Sequence, residues 1–103
     1  MQNTITVKGK LNFQPKVSNS KSGSAYANFQ IGVYDGKDAS GKHKYFNLNV
    51  ITFDERTVNG LMDLTLPANV VVTGRLADDS YTNKEGKNVR AIKIVADTVG
   101  VEL

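Results

Sequence analysis

The side chains of this 103-residue chain that could do chemistry are rings and cations rather than nucleophiles and acids. There is no cysteine, which excludes disulfides, thiolate metal sites and a Cys nucleophile. The single histidine, His43, stands alone in a polar loop and reads as a surface residue, not a base or ligand. Asp78-Asp79 has no third ligand nearby and reads as a solvated pair at a strand bend. Residues 36–43, GKDASGKH, carry the glycine spacing of a phosphate-cradling loop. That reading is rejected, because the next position is His43 rather than Ser or Thr and a strand follows instead of a helix. No acid–base pair, nucleophile motif or dinucleotide fingerprint is present, so the expectation is a protein that is not an enzyme and uses no cofactor and no metal.

What remains is a set of aromatics interleaved with cations. Tyr34, Tyr45, Phe53 and Tyr81 fall on rows facing away from the expected core or on a projecting ribbon. Lys10, Lys16, Lys21, Lys37, Lys42, Lys44, Lys84, Lys87 and Arg90 lie in the neighbouring loops and outward rows. Net charge is only +3, so placement matters more than the total. Residues 54–64 hold Asp54, Glu55 and Asp63 against Arg56 alone. The molecule should therefore be basic on its loop-and-ribbon side and acidic around that segment. Single-stranded nucleic acid needs this combination. Cations follow the phosphates and release counterions, and exposed rings stack on unpaired bases for about 1–3 kcal/mol each. The competing use of rings is core and cross-strand packing. Phe13, Phe29 and Phe46 are assigned to the core on that ground, and Tyr26 fits either use. Tyr81 is assigned to binding, since a ribbon tip has little core to fill.

The elements that must position these residues follow from hydrophobic periodicity. Residues 4–11 alternate, with Ile5, Val7 and Leu11 on one face and Gly9 in the apolar row, where it signals a bulge or a close backbone approach. Pro15 ends that strand, and residues 17–24, VSNSKSGS, read as a polar loop. Residues 25–34 form a second strand with Phe29, Ile31 and Val33 inward and Asn28, Gln30, Gly32 and Tyr34 outward. After a loop over residues 35–44, a third strand runs over 45–53. Its Phe46, Leu48 and Val50 share one face, and Tyr45, Asn47, Asn49, Ile51 and Phe53 share the other. Residues 54–64 are the one helical segment, with Asp54 as N-cap and Val58, Leu61 and Met62 as its apolar stripe. Gly60 weakens it and Pro67 closes it. Residues 69–99 then form a long two-stranded ribbon around NKEGK, where Gly86 supplies the positive φ of a tight turn. Five strands with a short helix between the third and fourth predict an all-β fold, a five-stranded Greek-key barrel of OB type ending in a long hairpin. An SH3-like barrel is the competing architecture. One domain over residues 1–103 is expected at this length, and residues 1–10 contain neither a signal peptide nor a membrane span.

With these elements in place, the chain resembles the bacterial-type single-stranded DNA-binding proteins, the SSB family. TITVKGKLNFQPKV over residues 4–17 matches the family's opening strand, and Ala27-Asn28-Phe29 its second. LNVITF over residues 48–53, followed by an acidic helix start, matches its third. Val72-Thr73-Gly74-Arg75-Leu76, Tyr81, Glu85-Gly86-Lys87 and Ile94-Val95-Ala96-Asp97 match its last hairpin, the most specific portion. The resemblance implies an OB fold that binds single-stranded DNA without sequence preference. It implies homo-oligomers, tetramers before dimers, that protect exposed strands in replication, recombination and repair. It places Tyr81 at the hairpin's stacking position and Phe53 at the ring closing the third strand. Tyr45, which shares the row of Phe53, takes the remaining third-strand role, with Phe46 as the alternative under a one-residue shift. Tyr34 matches an aromatic before the following loop. Phosphate contacts are expected from Lys10, Lys16, Lys21, Lys42, Lys44, Lys84, Lys87 and Arg90.

Family members in cells usually continue into a Gly/Pro-rich linker and an acidic tip that recruits partner proteins. The sequence here stops at Leu103, which suggests a phage or plasmid version or a trimmed core and puts recruitment of replication and recombination proteins in doubt. The implied location is the cytoplasm of a bacterium or phage-infected cell, at the nucleoid, with no membrane partner. The runner-up is a dimeric OB protein of the primosomal replication protein B kind, bridging single-stranded DNA and helicase-loading proteins. An OB module that serves protein contacts without DNA is the third reading.

Overall fold

In the structure, a computed structural model that describes residues 2–102, the alternating segments become strands in the expected order. They are β1 (Ile5–Leu11), β2 (Lys16–Asn19), β3 (Ala25–Lys37), β4 (His43–Thr52), β5 (Ala68–Asp78), β6 (Tyr81–Thr82), β7 (Asn88–Val89) and β8 (Ile92–Val101), with the helix α1 (Glu55–Met62) between β4 and β5. Five long strands run β1-β5-β8-β4-β3, and β3 returns to β1 through the pairing of Lys10 with Gly32, closing a barrel. Neighbours are antiparallel except β4 and β8, which are parallel. A parallel pair needs a long connection, and α1 with the β5 arm provides it.

Alternation decides what lies inside. Phe29 and Ile31 of β3, Leu48 and Val50 of β4, Val70 and Val72 of β5, and Ile94 and Ala96 of β8 are buried together. Helix α1 adds Val58 and Leu61 to the same core. Asp54 starts it, accepting hydrogen bonds from the Thr57 N–H at 3.1 Å and the Thr57 hydroxyl at 2.7 Å. The buried Thr52 hydroxyl donates to the Ala96 carbonyl at 3.1 Å and accepts from the Asp54 N–H at 3.3 Å. It thereby ties the end of β4 to both β8 and the helix start. Gly9 makes the close approach expected of it: a Cβ there would lie 3.0 Å from the Gly32 carbonyl oxygen and from Ile31, at the seam that closes the barrel.

Three hairpin tips share one turn. Ser20-Lys21-Ser22-Gly23-Ser24, Asp38-Ala39-Ser40-Gly41-Lys42 and Asn83-Lys84-Glu85-Gly86-Lys87 each bond the first N–H to the fifth carbonyl at 2.8–2.9 Å. Each also bonds the glycine N–H to the first carbonyl at 2.9–3.0 Å. The glycines have φ of 86°, 85° and 78°, as a type I turn followed by a left-handed bulge residue requires. The loop over residues 36–43 is thus a hairpin tip and not a phosphate cradle.

The structure corrects several expectations. Residues 17–24 are not all loop: β2 pairs Lys16–Asn19 with residues 25–28 of β3. All four β2 residues are exposed, so no apolar alternation marks the strand. The second loop shrinks to residues 38–42, because β3 extends to Lys37 and β4 begins at His43. Phe46 shares the inward row of Leu48 and Val50 yet is exposed, since β8 pairs with β4 only from Asn49 onward and the β3–β4 hairpin overhangs the barrel. Phe13 is also outside, exposed in the connection between β1 and β2. Met62, in the last turn of α1, is exposed rather than part of the buried stripe. Asp79 is half-buried and ion-paired, not a freely solvated residue.

Candidate nucleic-acid interface

The outward rows of β3 and β4 form one continuous face. In register across it stand Asn28 and Ile51, Gln30 and Asn49, Gly32 and Asn47, then Tyr34 and Tyr45. At one end the Tyr34 and Tyr45 rings meet edge to face with centroids 5.6 Å apart, and the His43 ring lies 5.5 Å from Tyr34. His43 Nδ1 and the Tyr34 hydroxyl are 3.2 Å apart, so they share a hydrogen bond. At the opposite end Tyr26 packs against Phe53 at 5.8 Å. Tyr34 lies eight residue steps along β3 from Tyr26, about 27 Å at the usual rise. Between the two ring pairs lie amides, and Gln30 Nε2 donates to Asn49 Oδ1 at 2.9 Å. Tyr34, Tyr45 and Phe53 are 51%, 67% and 59% exposed. Tyr26, left open by the sequence, is half-buried beneath Phe53 and holds that ring.

Neighbouring strands bring cations to this face. Lys16 of β2 is registered against Asn28, and Lys93 of β8 against Asn49. A groove of about 390 Å³ crosses the sheet here, with Phe13, Gln14, Lys16, Gln30, Asn49, Asp79 and Lys93 among its walls. Lys93 Nζ lies 3.6 Å from Asp79 Oδ1. A second cleft, of about 440 Å³, places Lys8 and Lys10 beside Tyr34 and Tyr45 at the barrel seam.

The structure brings together Tyr34, Tyr45 and Lys10, and it places Lys16 on the same face. Lys44 is held 3.8 Å from Asp35, which offsets its charge. Lys21, Lys42, Lys84 and Lys87 ride on the three hairpin tips, and Arg90 follows β7. Tyr81 stands on β6, opposite Val89 and 57% exposed, at the start of the tip ribbon and apart from the other three rings. The Asp38 and Asp78 carboxyls are held below their ordinary value, Asp38 first by the Ser40 hydroxyl and Asp78 by Ser80, whose N–H donates to it at 3.0 Å. Asp54 is lowered likewise by the Thr57 hydroxyl.

Sequence reasoning missed Lys93, Gln14 and the outward Phe13. A lysine between Ile92 and Ile94 signals an outward position on the last strand. That it faces Asn49 depends on the parallel β4–β8 register, which no local pattern encodes. Among the described residues no group of three His, Cys, Asp or Glu side chains is placed to hold a metal ion, and no helix is long and apolar enough to cross a membrane.

A closed five-stranded barrel with a helix after its third strand and a long terminal hairpin defines the OB-fold class, and solved structures share it. The Plasmodium falciparum SSB in complex with ssDNA superposes with a TM-score of 0.83 at 14% identity, covering 100% of this chain and 96% of that one. A small single-stranded DNA-binding protein from Streptomyces coelicolor gives 0.78 at 20% identity, covering 100% and 97%. The model of the single-strand binding protein family matches residues 2–101, and the chain belongs to that family. The single-stranded DNA-binding protein of Mycobacterium tuberculosis is 32% identical over 107 residues, covering 97% of this chain and 64% of the relative. The chain therefore spans slightly less than two thirds of that relative's length.

Proposed function

We propose that this protein binds single-stranded DNA without sequence preference and protects exposed strands during replication, recombination and repair. The observation that carries this reading is the β3–β4 face. Two ring pairs about 27 Å apart, with amides between them and Lys16 and Lys93 alongside, offer stacking and phosphate contacts along one track. Tyr34, Tyr45 and Phe53 take bases on this track, and Tyr81 takes one on the ribbon. Lys10 and Lys16 serve the phosphates nearest the barrel. Lys21, Lys42, Lys84 and Lys87 add contacts at the tips, Lys44 on β4 and Arg90 after β7. Amides accept any base edge because each carries both donors and an acceptor, which supports tolerance of sequence.

The active form is a homo-oligomer, a tetramer before a dimer. In support, β1 pairs with β5 along its whole length but with β3 only at Lys10, leaving the edge of residues 5–8 open to another strand. Titration with dT oligomers of graded length at two salt concentrations tests the binding. Tight association that weakens with salt and depends little on base is expected; no change in tyrosine fluorescence with any oligomer would overturn the reading. Light scattering on the free protein decides between tetramer and dimer.

A further inference from the structure

Phe13 is 81% exposed, yet the chain around it is anchored. Leu11, two residues before, is fully buried, and Pro15, two residues after, is buried as well. The ring is held out by its neighbours at a position where burial would gain about 1.5–3 kcal/mol. It forms one wall of the groove whose other walls include Lys16, the linked amides Gln30 and Asn49, and Lys93 with the Asp79 carboxylate 3.6 Å from it. An apolar partner protein covering this groove would have to bury two lysines. A nucleotide matches the ring with a π face, the amides with a polar edge and the lysines with an anion that takes the place of Asp79 on Lys93. The Gln30–Asn49 hydrogen bond uses one Gln30 donor and the Asn49 carbonyl, leaving the Gln30 carbonyl as an acceptor and the Asn49 amide N–H groups as donors. Every base carries a neighbouring donor and acceptor on its pairing edge, so this pair discriminates little among them.

We propose that the groove beside Phe13 is a nucleotide subsite of the single-stranded DNA track, with Phe13 as an additional stacking ring. The proposal rests on the single-stranded DNA reading and extends the track from the β3–β4 face across to the β1–β2 connection. The base lies on Phe13, its edge meets Gln30 and Asn49, and its phosphate sits between Lys16 and Lys93.

The test compares wild type with Phe13→Ala, Phe13→Leu and Phe13→Tyr, using fluorescently labelled dT oligomers of the shortest length that saturates the wild-type protein. Phe13→Ala is expected to weaken binding about 5- to 150-fold, with an unchanged salt slope because no cation is removed. Phe13→Tyr should restore binding to within about twofold, and Phe13→Leu should stay close to the alanine variant, since stacking needs a flat ring. Exposure of the side chain leaves the fold intact, checked by equal melting temperatures. If wild type binds dT and Phe13→Ala binds equally well, the subsite is wrong and the wider DNA reading stands. If wild type binds no oligomer, the DNA reading itself fails. A Phe13→Ala variant that changes oligomeric state while keeping its dT affinity would assign the ring to a contact between copies and overturn the subsite. Should both change, photocrosslinking of wild type to 5-iododeoxyuridine oligomers decides: an adduct on Phe13 upholds the proposal, and adducts only elsewhere refute it.

Discussion

Asp79 places a negative charge in a groove proposed to hold phosphate, and removing it should strengthen binding. Its Oδ1 lies 3.6 Å from Lys93 Nζ, and the two side chains are 34% and 30% exposed. At that separation and an effective dielectric near 20, the attraction is about 4–5 kcal/mol. Solvent screening of partly exposed pairs reduces the net value to about 1 kcal/mol. A phosphate must displace Asp79 from Lys93 before using that lysine, and it must do so beside the carboxylate it displaces. Asp79→Asn removes both costs. The expected gain in affinity for dT oligomers is about three- to tenfold at low salt. Each added phosphate contact on a single strand steepens the dependence of log K on log salt by about 0.7. The variant should therefore show a slope steeper by about that amount, and its advantage should fade as salt rises. The Asp79 N–H bond to the Ala91 carbonyl, 2.9 Å, belongs to the backbone and survives the change, so the ribbon keeps its place. Lys93→Gln should do the opposite, and in a Lys93→Gln background Asp79→Asn should lose most of its benefit. An Asp79→Asn protein that binds no tighter, with an unchanged salt slope, would refute the claim that phosphate competes for Lys93.

Three further outcomes are expected. Tyr81→Ala should weaken dT binding at least about fivefold without lowering the melting temperature, since the ring is 57% exposed; an unchanged affinity removes Tyr81 from the track. Gly9→Val should destabilise the fold by about 1–3 kcal/mol in a denaturant titration, because a Cβ there already lies 3.0 Å from the Gly32 carbonyl oxygen and Ile31; wild-type stability would mean the seam can open. Thr57 holds the Asp54 carboxyl below its ordinary value, so this group stabilises the fold above the ordinary carboxylate range, and that support is lost as pH falls through the lowered folded value. The melting temperature should thus decline below about pH 4. Asp54→Asn, which still caps, should decline less steeply, and an identical decline in both proteins would show that the cap does not carry the effect.

Local chemistry written in the chain was enough for most of the barrel. Inward and outward rows of β3 and β4 follow from two-residue alternation, which needs no knowledge of neighbours. Tyr34, Tyr45 and Phe53 were readable as outward rings for that reason, and the helix start at Asp54 and the turn at Gly86 rest on equally local rules. Gly9 announced a close approach without revealing that the approaching strand was β3. The fates of Phe46 and Phe13 were not readable, because a row assignment says which way a side chain points and not whether anything lies opposite. Phe46 points inward past the place where β8 stops covering β4, and Phe13 stands in the β1–β2 connection across an open groove from the β3–β4 face. The pairing of Lys93 with Asn49, and hence the groove, needs a parallel register between strands more than forty residues apart, as the pairing of Asn49 with Lys93 records. Closure of the barrel sets that register through packing summed over the whole core, a property that no single stretch of residues carries.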